Sequence, residues 1–182
     1  MTDCFALLGL PRAAALDEAA LQAAWHEKGR AAHPDSPGGD AALAADINAA
    51  HEILSQPEKR LKHLLELHAE PWRTVPISAE LMDLFMKMGA ELQNAAILAK
   101  KRQSASSALV RALLAPQEMR LKEALEALNA QIEAFRSQEL EKLPLWDQAP
   151  TQDFAALQTI QATLAYLAKW RTQIREALLA LV

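Results

Sequence analysis

Apolar residues recur along much of this chain at alternating spacings of three and four. Leu121, Leu125, Leu128, Ile132 and Phe135 keep that rhythm, as do Leu157, Ile160, Leu164, Leu167, Ile174, Leu178 and Leu181, with an interruption at Arg171. This spacing draws a stripe down one side of a helix, and such a stripe must be buried against a neighbour. A third segment starts at Ser78, a candidate N-cap, and runs through Leu81, Phe85, Met88 and Leu92 towards Lys100. A short helix is expected from Ser104 to Leu114, ended or kinked by Pro116, and a loop from Leu143 to Pro150. Short connections between striped helices predict an antiparallel three-helix bundle.

The first part of the chain has a different layout. Phe5, Leu7, Leu8 and Leu10 make a short apolar start that Pro11 stops. A helix follows, with Asp17 near its start, and continues through Leu21 and Trp25 to about Ala32. Pro34 ends it, because proline disfavours helical conformation in the residue before it and has no backbone donor. Ser36 to Asp40 has loop chemistry, and a second helix over Ala41 to Gln56 is striped by Leu43, Ile47, Ala50 and Leu54. Pro57 opens a further helix through Leu61, Leu64, Leu65 and Leu67. Residues 69–76 place two prolines in a polar setting. The expected division is therefore a helical domain over 1–68, a linker over 69–77 and a C-terminal bundle over 78–182, with Trp72, Trp146 and Trp170 as anchors of the bundle or its junction.

Composition supports an all-α reading. Hydrophobic residues make up 51% of the 182 positions, Ala and Leu dominate, and there are only five Gly. Ala and Leu are good helix formers, whereas the alternating β-branched runs of a sheet protein are missing. A formal charge of −4 argues against general nucleic-acid binding, which needs a cationic footprint. The single cysteine, Cys4, excludes an internal disulfide and any Cys-based zinc cage, and fits a reducing, cytoplasmic setting. No signal peptide is recognisable near Met1, and no apolar run approaches the roughly 20 residues of a membrane span, so no membrane partner is expected.

Chemistry concentrates at His33-Pro34-Asp35, which closes one helix just before a Gly-containing loop and the next helix. Pro34 fixes the backbone, Asp35 offers a carboxylate and His33 a hydrogen-bonding ring. The flanks make the tripeptide specific. Residues 46–60 read Asp-Ile-Asn-Ala-Ala-His-Glu-Ile-Leu-Ser-Gln-Pro-Glu-Lys-Arg, and this stretch resembles the third helix and following turn of J domains of the DnaJ family. The opening Cys4-Phe5-Ala6-Leu7-Leu8-Gly9-Leu10 resembles the start of the same domain. The segment Arg60-Leu61-Lys62-His63-Leu64-Leu65-Glu66-Leu67-His68 is similar to the close of the J domain in the HscB family, co-chaperones of iron–sulphur cluster assembly. Proteins of that family also begin almost directly with the J domain and continue into a helical bundle. The Gly/Phe-rich stretch and zinc-binding Cys repeat of common DnaJ proteins are absent.

The resemblance implies a co-chaperone and no enzyme or cofactor. His33, Pro34 and Asp35, with Lys28, Arg30 and Asn48 beside them, would contact a seventy-kilodalton heat-shock ATPase of the DnaK or HscA type. The bundle would hold a client through Leu81, Met82, Phe85 and Met86, and the iron–sulphur scaffold protein is the client the resemblance suggests. The bland reading of that Met and Phe stripe is core packing, with some members facing the core and others solvent. Two features depart from the family pattern. Residues 1–70 hold six Lys/Arg against eleven Asp/Glu, and Ala32 stands where an aromatic commonly precedes the tripeptide. They keep open a J domain that only tethers, just as the bundle leaves open an unrelated client.

Metal and enzyme readings find little support. His63 and His68 are five apart and so do not share a helix face, and His26 and His51 lack companions at ligand spacing. No phosphate-binding Gly-rich loop, nucleophile elbow or His-Glu-x-x-His pattern occurs. Lys100-Lys101-Arg102 reads as a solvated helix end.

Overall fold

The computed structural model describes residues 2–33 and 39–181 of the chain. Seven helices are found among them: α1 (Cys4–Leu8), α2 (Glu18–Ala32), α3 (Ala41–Ser55), α4 (Pro57–Leu67), α5 (Ala79–Ser104), α6 (Ala108–Gln148) and α7 (Phe154–Ala180). No membrane-crossing helix is present among the described residues. The all-α reading holds.

Local chemistry sets most of the helix ends. Asp17 caps α2 by accepting from the Ala19 amide, and Asp40 caps α3 by accepting from Ala42 and Leu43. Ser78 accepts from the Leu81 amide, Ser107 from Val110, and Asp153 from Ala155 and Ala156, so α5, α6 and α7 begin with side-chain caps as well. Pro57 occupies the first turn of α4, where its missing donor costs nothing. Gly9 ends α1 at φ 72°, a left-handed conformation that favours glycine, while its amide bonds the Ala6 carbonyl.

The proline breaks expected late in the chain do not occur. α6 runs unbroken through Pro116 and Pro144, and the expected loop at 143–150 shrinks to the few residues after Gln148. A proline inside a helix removes one donor, about 3 kcal/mol in an otherwise ordinary helix. The Ala112 carbonyl that Pro116 cannot bond is on an exposed residue and can turn to water. Burial of the stripe beyond it, with Leu125 and Ile132 both fully buried, keeps the helix going.

Two compact units result, and neither is a contiguous stretch of sequence. The first comprises residues 1–75 and 139–164, the second residues 76–138 and 165–182. The break between 75 and 76 falls inside the expected linker, but α6 and α7 each contribute to both units. The first unit is built on α3, which packs against α1, α2 and α4. Its core joins Phe5, Leu8, Leu21, Ile47, Leu54, Leu61 and Leu64 to Leu143, Trp146, Leu157, Ile160 and Leu164. The tip where α6 meets α7 therefore completes the core of the N-terminal helices.

Polar contacts fasten the same tip. The Asp147 carboxylate accepts from the backbone amides of Ala14 and Ala15, both at 2.8 Å. Buried Arg60 holds the same loop from the other side, donating to the Ala14 carbonyl at 2.9 Å and to Leu54 at 2.7 Å. The Trp146 indole donates to the Asp153 carbonyl at 2.8 Å and closes the tip itself. Gln158 and Gln161 donate to the carbonyls of Pro71 and Glu58. Trp72, expected as an anchor, is 55% exposed; Trp146 and Trp170 are buried.

The second unit packs three helical segments around Leu84, Met88, Leu98, Leu125, Ile132, Leu167, Trp170 and Ile174. Arg171 of α7 pairs with Glu133 of α6 on its surface.

Candidate functional site

α2 and α3 form an antiparallel hairpin whose cross-links fall into register one after another. Gln22 meets His51 at 3.2 Å, the Trp25 indole donates to Asn48 Oδ1 at 2.9 Å, and the Asp40 amide bonds the Ala32 carbonyl at 3.1 Å. As the residue number on α2 rises, its partner's on α3 falls. Trp25 also stacks on the His51 ring, with centroids 4.4 Å apart. The Asp40–Ala32 bond closes the base of the loop that carries the tripeptide, and Ala32 beneath it is buried. The small residue at 32 thus belongs to the packed neck of the hairpin.

His33 caps the C-terminus of α2 at φ −59°, ψ 135°, the extended conformation that a following proline favours. Its side chain is exposed. Pro34 and Asp35, the other two expected contact residues, lie outside the described residues.

The hairpin bears a groove of about 680 Å³ lined by Trp25, His26, Gly29, Arg30, His33, Ala44 and Asn48. His26 and Arg30 are four residues apart and share one face of α2, and His33, just past its end, lines the same groove. The groove therefore presents a guanidinium and two imidazoles above an indole floor. Of the residues expected from sequence, His33, Arg30 and Asn48 come together here. Lys28 does not line the groove; it is exposed on another side of α2, where its stem passes Gly9 at the end of α1. In the sequence Trp25 stood only as a residue along a helix, and His51 only as a histidine without companions at ligand spacing. A large aromatic facing a polar Asn and a His on the partner helix was the available signal.

On α5 the expected client residues separate. Leu81 is 2% exposed and belongs to the core with Leu84 and Met88, so it offers nothing to a partner. The reason is helical phase: 81, 84 and 88 share the buried stripe, 82 and 86 fall on the outer side, and 85 sits at the edge of the stripe. Met82, Phe85 and Met86 are 43%, 46% and 65% exposed. Phe85 lies against Trp170 with ring centroids 5.8 Å apart, and exposed Tyr166 lies on the same indole at 6.1 Å. Tyr166 extends the apolar face and was not anticipated. Among the described residues no three His, Cys, Asp or Glu side chains are grouped to hold a metal ion.

No protein-family model matches the chain. It is similar to the co-chaperone protein HscB homologue of Chromobacterium violaceum, 38% identical over a 73-residue alignment that covers 36% of this chain and 42% of that protein. The HscB homologue of Cupriavidus taiwanensis is 42% identical over 86 residues, 43% of this chain and 46% of that protein. The chaperone protein DnaJ of Synechococcus elongatus is 41% identical over 64 residues, 34% of this chain and 22% of that protein. The chain thus matches less than half the length of each of these relatives. In fold it is similar to the chaperone HscB from Vibrio cholerae, with a TM-score of 0.61 over 100% of both chains at 19% identity. The chain is HscB-like: in sequence over those stretches, and in fold over its whole length.

Proposed function

We propose that the chain is a J-domain co-chaperone of the HscB kind, which recruits a DnaK- or HscA-type heat-shock ATPase and stimulates its ATP hydrolysis. The observation that carries this reading is the exposed His33, held at the end of a cross-linked hairpin and followed in sequence by Pro34 and Asp35. The names of the similar proteins supply the class of partner. In this reading the chain supplies no reacting group; the partner hydrolyses ATP. The loop need only bind the hydrolysis-competent state better than the resting state, and each 1.4 kcal/mol of preference shifts the balance about tenfold. The Asp35 carboxylate would pair with a partner Arg, while Arg30, Lys28 and Asn48 would meet an acidic or polar surface.

The exposed Met82, Phe85 and Met86 face would hold the client, an iron–sulphur scaffold protein by analogy with HscB. Thioether and aromatic side chains suit an adaptable apolar contact.

Single-turnover ATP hydrolysis by the cognate heat-shock chaperone, with wild type and His33→Gln, tests the first claim. Stimulation by wild type and its loss in the variant is the expected result. A wild type that stimulates none of the organism's heat-shock ATPases refutes the proposal and favours a tethering role. For the client, Met82→Glu and Phe85→Glu should each abolish pull-down of the scaffold protein; unchanged capture removes this face from consideration.

A further inference from the structure

The charge of the chain is unevenly distributed. Residues 92–122 carry six Lys/Arg and one acid, Glu118, although the whole chain has a formal charge of −4. These cations occupy the end of α5 and the first part of α6, both in the second unit. Glu118 is engaged by Arg102 at 3.5 Å, and the same guanidinium donates to the Leu181 carbonyl at 2.7 Å. Among the described residues no ion pair engages Lys101 or Arg120.

Those two side chains line a groove of about 420 Å³ between α5 and α6. Its floor is apolar: Leu98 and Leu121 are buried, and Ile97 is 47% exposed where a packed helix would normally cover an isoleucine. The Arg102–Glu118 pair, with only residues 105–107 between the helices, makes α5 and α6 antiparallel here. Lys101 therefore stands near the connecting end of the groove and Glu91 at the other. At 1.5 Å per residue, Ile97 lies about 18 Å along α5 from Phe85, so this groove is separate from the face assigned to a client above.

We infer that the α5–α6 groove docks an acidic peptide segment bearing an apolar anchor, its carboxylates on Lys101 and Arg120 and its anchor on Ile97. The volume matches a short cluster of peptide side chains. The two cations select for negative charge, and Glu91 fixes direction by repelling acids at the far end. A concave apolar floor favours a peptide over a membrane, which needs an apolar face that projects into the interface.

The inference does not depend on the J-domain proposal. The full chain, immobilised, is to be panned with a random dodecapeptide phage library, then with the Lys101→Glu/Arg120→Glu and Ile97→Asp variants, both surface changes. Far-ultraviolet circular dichroism and Tm monitor their folding. Enriched peptides should carry an excess of Asp and Glu around an apolar residue. They should bind the charge-reversed chain at least tenfold more weakly, weaken with added salt, and be lost on Ile97→Asp. Peptides without an acidic excess, or equal binding to both variants and wild type, overturn the inference. So does sedimentation with phosphatidylglycerol vesicles that is abolished by the same variants while no peptide is selected.

Discussion

Removing the Asp147 carboxylate should loosen the N-terminal helices although it lies more than 130 residues away in sequence. Asp147 accepts from Ala14 and Ala15 at 2.8 Å each, and Ala14 is 0% exposed. A hydrogen bond to a charged group contributes about 1.5–3 kcal/mol, and a buried amide left without a partner costs about 1–3 kcal/mol. The two bonds share one half-buried carboxylate and are not independent, so Asp147→Ala should cost about 2–4 kcal/mol in total. That is a large part of the roughly 5–15 kcal/mol that holds a typical domain together. Urea unfolding followed by tryptophan fluorescence measures it, with Trp146 next to the substitution as a reporter. The midpoint should fall with little change in slope. Asp147→Asn, which keeps one acceptor oxygen, should lose about half as much. A loss below about 0.5 kcal/mol for Asp147→Ala would refute the idea that this carboxylate fastens the loop.

Burial pushes the His63 ring below its ordinary value of 6.5, partly opposed by the nearby charges of Asp3 and Glu66, and its Nε2 accepts the Cys4 amide at 3.1 Å. The unfolded chain then takes the proton first, so the contribution of His63 is intact above pH 6.5 and declines as pH falls below it. Urea midpoints from pH 7.5 to 5.5 should drop less steeply in His63→Gln than in wild type; parallel curves would contradict this. Leu125→Ala, at a fully buried position in the second unit, should cost about 2–5 kcal/mol in the same unfolding assay. Gly89→Ala meets no atom within 4 Å in the middle of α5 and should raise stability by about 0.5–1 kcal/mol, read as a higher Tm. Trp25→Phe removes the indole bond to exposed Asn48 and should cost about 0.5–1.5 kcal/mol, with a matching fall in ATPase stimulation if the hairpin presents His33.

The sequence alone determined what depends on near neighbours. Asp17 and Ser78 marked helix starts, Pro57 opened α4, and Pro34 ended α2, because caps and prolines act through backbone groups within a turn of themselves. The spacing of apolar residues likewise announced helices and their stripes. It did not say how far each stripe member is covered: Leu81 and Phe85 lie on the same predicted stripe, yet packing buries the first and leaves the second 46% exposed. Nor did Pro116 and Pro144 announce that α6 would pass through them, since a local penalty is outweighed by burial that only the assembled helices provide. The bond from Asp147 to Ala14 and Ala15 has no local signature. It exists because the folded chain brings the end of α6 against the loop before α2, and the same long-range pairing makes both units discontinuous in sequence. Tripeptide and hairpin were legible from residue order; the groove beside them and the tip that completes their core were decided by tertiary structure.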